Sequence, residues 1–326
     1  MGLRYGSRSR PGTMVSTWLN SLVSGTVVVP AAYFGGGETA AGRTDVIRKL
    51  AFSTDTAATL VAVLNAASYL VAGMANSPTA GYFGGGRTTG DLTTVDKLTF
   101  STDGIATLGT GLSSARNQPC GIGNAGTAGY FAGGSGATTV DKFAFSDDSR
   151  TTLGTGLTDA STSGTGMANS GTAGYAANGY VGSSCVTTVE KLTFSTDGIA
   201  TLGTGIATGV RYMGAMANSG TAGYVAGGYP CADPYIDTVN KFAFSDDSRT
   251  TLSTGLSQGL YSPGGAANTG TAGYFGGGTC CAGVSWTKQT QGERFAFADD
   301  SRSVIASVFA TGTSGGMGGF ACEGTL

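Results

Sequence analysis

Histidine is absent from this chain of 326 residues. That removes the Ser-His-Asp and Cys-His arrangements, the commonest metal ligand and the commonest general base. Charge is scarce too: Asp, Glu, Lys and Arg make up 12% of the residues, and the net charge is −2. No basic face emerges that would neutralise phosphates, so nucleic acid is not an expected partner. The six cysteines form no C-x-x-C pair, which argues against a structural zinc site. No metal or other cofactor is expected. No apolar run reaches the ~18 residues of a membrane helix, so no membrane span is expected. Residues 14–32 are mildly apolar, but Ser16, Asn20, Ser21 and Ser24 interrupt them, a weak match to a signal peptide.

Glycine, by contrast, is abundant, at 58 residues. No G-X-Y period accompanies it, which excludes collagen. The apolar fraction of 40% and the regular recurrence of aromatics exclude disorder. Glycine here belongs to turns and strand edges.

A unit of about 48 residues repeats along the chain. A tyrosine followed by small residues falls at Tyr33, Tyr82, Tyr130, Tyr175, Tyr224 and Tyr274. A second line, built on a basic residue and a phenylalanine, ends at Phe52, Phe100, Phe145, Phe194, Phe244 and Phe297. Six copies of one unit mean six copies of one supersecondary element. Within the stretch 164–202 the unit resolves into four short strands. Gly166 to Asn169 is the first, and Thr172 to Tyr175 starts the second. Val186 to Phe194 is the third, and Ile199 to Leu202 starts the fourth. Turn signals separate them and no helical period appears.

The expected fold class is therefore all-β: a β-propeller of six four-stranded blades, or seven if residues 15–29 contribute strands of their own. A solenoid of stacked meanders would need polar caps, and neither end of the chain resembles one. Met317 to Thr325 aligns with a first strand and its turn, but the strand that should follow is at the other end, at Ala31 to Gly36. The C-terminal strand is thus expected to join the N-terminal blade and close the ring. The expected division is an N-terminal arm, 1–29, and a propeller, 30–326.

The strand Tyr130-Phe131-Ala132-Gly133-Gly134 and the turn Phe145-Ser146-Asp147-Asp148 resemble the kelch repeat, over about nine tenths of the chain. Leucine, at Leu60, Leu108, Leu153, Leu202 and Leu252, and Ile305 replace the kelch tryptophan. The copper oxidase that shares that fold needs His ligands, so the resemblance implies no such activity here. Ser101-Thr102-Asp103 through Thr107 resembles the sialidase Asp-box with its glycine displaced and its tryptophan replaced; that box is itself a structural hairpin. The Gly/Thr/Ser/Ala-rich, near-identical units also resemble, in style, propeller proteins of tailed-phage virions.

An aspartate stands three residues after each repeat phenylalanine: Asp55, Asp103, Asp148, Asp197, Asp247 and Asp300. It is read as fixing its own hairpin through turn N–H groups, in preference to a ring of metal or sugar ligands. A cation stands three residues before each phenylalanine: Lys49, Lys97, Lys142, Lys191, Lys241 and Arg294. Its stem is expected to pack on the next blade while its charge meets a carboxylate or solvent. A carboxylate pair for glycoside hydrolysis finds no support, because most acids sit at repeat positions and Asp91, Asp233 and Asp237 suggest no pair. An enzyme is not expected. Cys185, Cys231 and Cys280 or Cys281 stand at corresponding places in consecutive units, which allows either a bridge between neighbours or free thiols.

Function is expected where the units differ: the loops between strands two and three, and those between blades, which emerge on one face. They carry Tyr69, Arg116, Tyr180, Arg211, Tyr212, Tyr229, Tyr235, Tyr261 and Trp286, residue types that anchor interfaces and stack on sugars. The arm carries Arg4, Arg8, Arg10 and Trp18. The function expected is that of a virion or surface-assembly component. Its arm docks onto other assembly proteins or further copies of the chain, and its loop face binds a glycan or protein receptor. A cellular or secreted kelch-like interaction module is the alternative, and a carbohydrate-active enzyme the third.

Overall fold

The computed structural model describes residues 28–232, 234–280, 287–310, 312 and 316–322. The arm residues Arg4, Arg8, Arg10 and Trp18, and nearly all of the segment on which a seventh blade would depend, lie outside them. Every regular element among the described residues is a β-strand. The strands form six four-stranded antiparallel sheets, with three small loop sheets beside them; they are numbered 1 to 6 by their second strands, Ala31–Gly35, Ala80–Gly84, Ala128–Ala132, Ala173–Ala177, Ala222–Ala226 and Ala272–Gly276. Sheet 2 is typical: Ala72–Asn76, Ala80–Gly84, Val95–Thr99 and Gly104–Thr107, in that order. The second strand of each sheet is buried along its whole length, whereas the fourth is mostly exposed. Apolar residues of the inner strands therefore pack sheet against sheet, and the fourth strands face outward.

Sheet 1 draws its first strand from the far end of the chain. Its order is Gly318–Cys322, Ala31–Gly35, Val46–Ala51, Thr56–Val63, with Tyr33 opposite Phe320 and Ala31 opposite Cys322. The expected joining of the C-terminal strand to the N-terminal sheet is present. First strands of consecutive sheets lie against one another, and Gly318–Cys322 touches both Gly264–Asn268 of sheet 6 and Ala72–Asn76 of sheet 2. The cycle of first strands is complete.

Glycine makes that approach feasible. A Cβ at Gly121 would collide with the carbonyl of Gly73, one at Gly166 with that of Gly121, and one at Gly73 with that of Gly319. Ala215 stands at the equivalent place in sheet 5, so only that step of the cycle accommodates a methyl group. On the side of the turns between first and second strands, the first strands line a cavity of about 810 Å³. Toward the loop face the same glycines line a smaller cavity of about 60 Å³.

The sheets adhere through one constellation used six times. Tyr33 and Lys49 lie opposite each other on neighbouring strands of sheet 1, and both reach Asp103 of sheet 2. The same pairs reach forward from Tyr82 and Lys97 to Asp148, from Tyr130 and Lys142 to Asp197, and from Tyr175 and Lys191 to Asp247. Tyr224 and Lys241 reach Asp300. Tyr274 and Arg294 of sheet 6 complete the series at Asp55 of sheet 1. The phenols donate over 2.7–2.9 Å. The lysines approach to 2.7 Å, and Arg294 to 3.8 Å. Each tyrosine also stacks on the next sheet's repeat phenylalanine, with centroids 5.1–5.5 Å apart.

This corrects the expected role of the repeat aspartates. All six adopt a left-handed φ of 51–58°, which Asp tolerates better than most residues. That backbone aims the carboxylate at the preceding sheet. Local turn N–H groups are served by other side chains: Asp147, Asp246 and Asp299 accept from Ser149, Ser248 and Ser301, and Thr102 and Thr196 accept from Gly104 and Gly198.

Gly121→Ala is expected to destabilise the protein by about 1–3 kcal/mol through overpacking of rigid backbone, while Ala215→Gly costs under about 1 kcal/mol. Urea unfolding of both variants checks this, and equal effects would contradict it.

Burial foremost, then the bond to aspartate and its charge, push the phenols of Tyr33, Tyr82, Tyr130, Tyr175 and Tyr224 well above the ordinary range. Burial raises Tyr274 to about 12, with Arg294 opposing. Unfolded tyrosines ionise near pH ~10, so the stability these groups contribute is intact below that pH. It is lost as the pH climbs from there through the folded values, at about 1.4 kcal/mol per pH unit for each tyrosine. Urea unfolding is expected to show a steep fall in stability from pH ~10 upward; equal stability at pH 9 and 11 would refute the assignment.

Candidate functional site

The loop face begins with the pair that ends each second strand. Gly85 and Gly86 have φ of 66° and 105°. The turn they make lets Gly86 N donate to Arg116 O of the following inter-sheet loop at 2.9 Å. Gly37 does the same to Ser68 O, and Gly228 to Leu260 O. Inter-sheet loops also pair back onto the loop of the sheet they enter, as in Tyr69 with Arg87 and Arg211 with Tyr229. From below, polar residues on the third strands accept inter-sheet loop N–H groups: Asp96 from Asn65, Asp141 from Ser113, Glu190 from Thr158, Asn240 from Ala207, and Glu293 from Ser257. The variable loops thus stand on a repeated polar frame.

On the arc above sheets 4 to 6 these loops bring aromatic side chains together. The Arg211 guanidinium lies 4.8 Å from the Tyr180 ring centroid, 5.1 Å from that of Tyr229 and 5.4 Å from that of Tyr212. Tyr212 packs on Tyr261 at 4.4 Å, and Tyr261 on Tyr235 at 5.4 Å. A disulfide between Cys185 and Cys231 joins the second-to-third-strand loops of sheets 4 and 5, with Cα atoms 5.9 Å apart. It resolves the open question over these two cysteines in favour of a bridge. Burial, followed by the charge and hydrogen bond of Tyr212, raises the Tyr261 phenol well above its ordinary range, while Arg211 opposes this.

Of the nine loop residues singled out in the sequence, Tyr180, Arg211, Tyr212, Tyr229, Tyr235 and Tyr261 share this cluster. Tyr235 is only 9% exposed and forms its floor, so it is a packing residue and not a contact surface. Tyr69 stands apart, half-buried, beneath the guanidinium of Arg43. Trp286 lies outside the described residues.

Arg116 requires a correction. It is 1% exposed, donates to the carbonyls of Gly133 and Thr139, and forms a buried ion pair with Asp141. Burial lowers its pKa and Asp141 opposes that shift. Its position on a variable loop concealed an inward-pointing staple between sheets 2 and 3.

The residue following each Gly-Gly or Asn-Gly pair was not singled out as a class. It is Glu38, Arg87, Ser135, Tyr180, Tyr229 and Thr279 in turn. Five residue types at six equivalent positions, beside near-identity around them, are the signal that marks it. Above sheets 2 and 3 this class builds a polar arc in which Asp91 receives Arg87, Asn117 and Ser135. Among the described residues no three His, Cys, Asp or Glu side chains are grouped to hold a metal ion. Compared with known proteins, the chain matches no family model and no curated protein.

Arg116→Ala strands the buried Asp141 carboxylate without its cation and is expected to cost about 3–5 kcal/mol. Chemical denaturation checks this; a cost under about 1 kcal/mol would mean that Arg116 is no staple.

Proposed function

We propose that the chain is a kelch-like β-propeller of six blades, closed by its C-terminal strand. It serves without catalysis as a rigid structural and adhesion platform in a larger assembly, a phage virion in the first instance. Its loop face binds a glycan or protein, and residues 1–29 dock it onto neighbouring proteins. The observation that carries this reading is the contrast between frame and face. Six sheet interfaces repeat the same tyrosine, cation, aspartate and phenylalanine, while the loops above them diverge and gather Tyr180, Arg211, Tyr212, Tyr229 and Tyr261 on one arc. A frame so uniform supports rigidity, and half-buried Tyr and Arg gathered on divergent loops support recognition. The virion assignment draws on the style of the repeats.

A secreted or cell-surface kelch-like interaction module is the second reading. The Cys185–Cys231 bridge favours oxidising surroundings, which that reading shares with a virion surface.

The test compares the full chain with residues 30–326 by light scattering and electron microscopy, and screens both on glycan and protein arrays. The expected result is assembly by the full chain only, with loop-face binding by both. Identical monomers would remove the docking role of residues 1–29. Silence on every array would remove the binding role.

A further inference from the structure

Arg211 differs from the other cations of the loop face, of which Arg43 is exposed and lies over the single ring of Tyr69. Arg87 lies 3.5 Å from Asp91, and Arg116 is buried against Asp141. Among the described residues Arg211 has no carboxylate partner, and its side chain donates no hydrogen bond. Its charge is half-buried and framed by three tyrosine rings at 4.8–5.4 Å. Tyrosine stacking fixes the guanidinium plane, so little side-chain entropy remains to be lost on binding. The disulfide and the Arg211–Tyr229 bridge hold the loops that carry these rings.

We propose that this cluster is the binding site for a carboxylate-bearing saccharide. This rests on the loop face being a binding surface. The guanidinium of Arg211 takes the carboxylate through paired N–H donors, the geometry that planar fork matches. The half-exposed rings of Tyr180, Tyr212 and Tyr229 pack against the apolar face of the sugar, and their hydroxyls meet its hydroxyl groups. One cation without a second beside it suits a singly charged group. On the opposite arc Arg87 is already paired with Asp91 and so offers the carboxylate no unpaired cation, which puts binding on one side of the ring.

The probes are a sialylated trisaccharide and an oligoglucuronate, each beside its carboxyl-reduced form, titrated calorimetrically into the full chain and into Arg211→Gln, Arg211→Lys and Arg87→Gln. The expected result is binding of at least one acidic probe, weakened about tenfold or more by carboxyl reduction and by Arg211→Gln. Arg211→Lys should lose less, and Arg87→Gln should match the parent. Because carboxyl reduction changes the ligand alone, that comparison stands even if a variant misfolds. Equal affinity for acidic and reduced forms, or loss through Arg87 instead of Arg211, overturns the proposal while leaving the loop face a binding surface. Failure of both acidic probes to bind also overturns it. If a neutral glycan or a protein then binds the face, the wider reading survives; if nothing does, both fall.

Discussion

Each sheet is held to the next by a tyrosine hydroxyl and a cation that converge on one carboxylate. The chemistry requires all three. A tyrosine hydroxyl buried without an acceptor is costly, and a half-buried lysine ammonium is stable only beside an anion. The aspartate that satisfies both belongs to the following sheet, so the demand cannot be met within a single unit. Stacking of the same tyrosine on that sheet's phenylalanine adds an apolar contact along the same line. A lone sheet would leave its tyrosine, its cation and both faces unsatisfied. The array is therefore stable only as an array, and the link from Tyr274 and Arg294 back to Asp55 removes its free ends.

Function follows from this economy. The four residues that bind sheet to sheet lie on strands two and three and in the turn after strand three, which leaves the loops at the opposite end outside the constraint. Those loops are tied by the Gly-Gly bends and by third-strand carboxylates, so they diverge in sequence while keeping their place. The result is a fixed surface with free choice of side chain. One arc carries tyrosines around Arg211, and another a hydrogen-bonded network around Asp91.

Much of this was readable before the structure. The period of about 48 residues and the strand–turn alternation gave the six four-stranded sheets, and the unfinished unit after Met317 gave the joining of the two chain ends. The aspartates were misjudged because a turn position offers two outlets for a carboxylate, its own hairpin or a neighbour. Only the left-handed backbone at Asp148 and its equivalents decides between them. Arg116 was misjudged for a similar reason. Variability of a loop says that its side chains differ, not which way they point, and a carboxylate buried below a loop turns an arginine inward. The clustering of Tyr180, Tyr229 and Tyr261 depends on loops from three consecutive sheets meeting in space, which no single unit reveals.

If one constellation holds every joint, the seam between the C-terminal strand and the N-terminal sheet is as firm as the joints between consecutive units. Native-state hydrogen exchange tests it most directly, by comparing amides of the Ala31–Gly35 and Gly318–Cys322 pair with those of Cys120–Asn124 and Ala128–Ala132. The slowest amides of the two pairs are expected to open with the same free energy, within about 1 kcal/mol. A seam that exchanges orders of magnitude faster, while the interior pair stays protected, would contradict it.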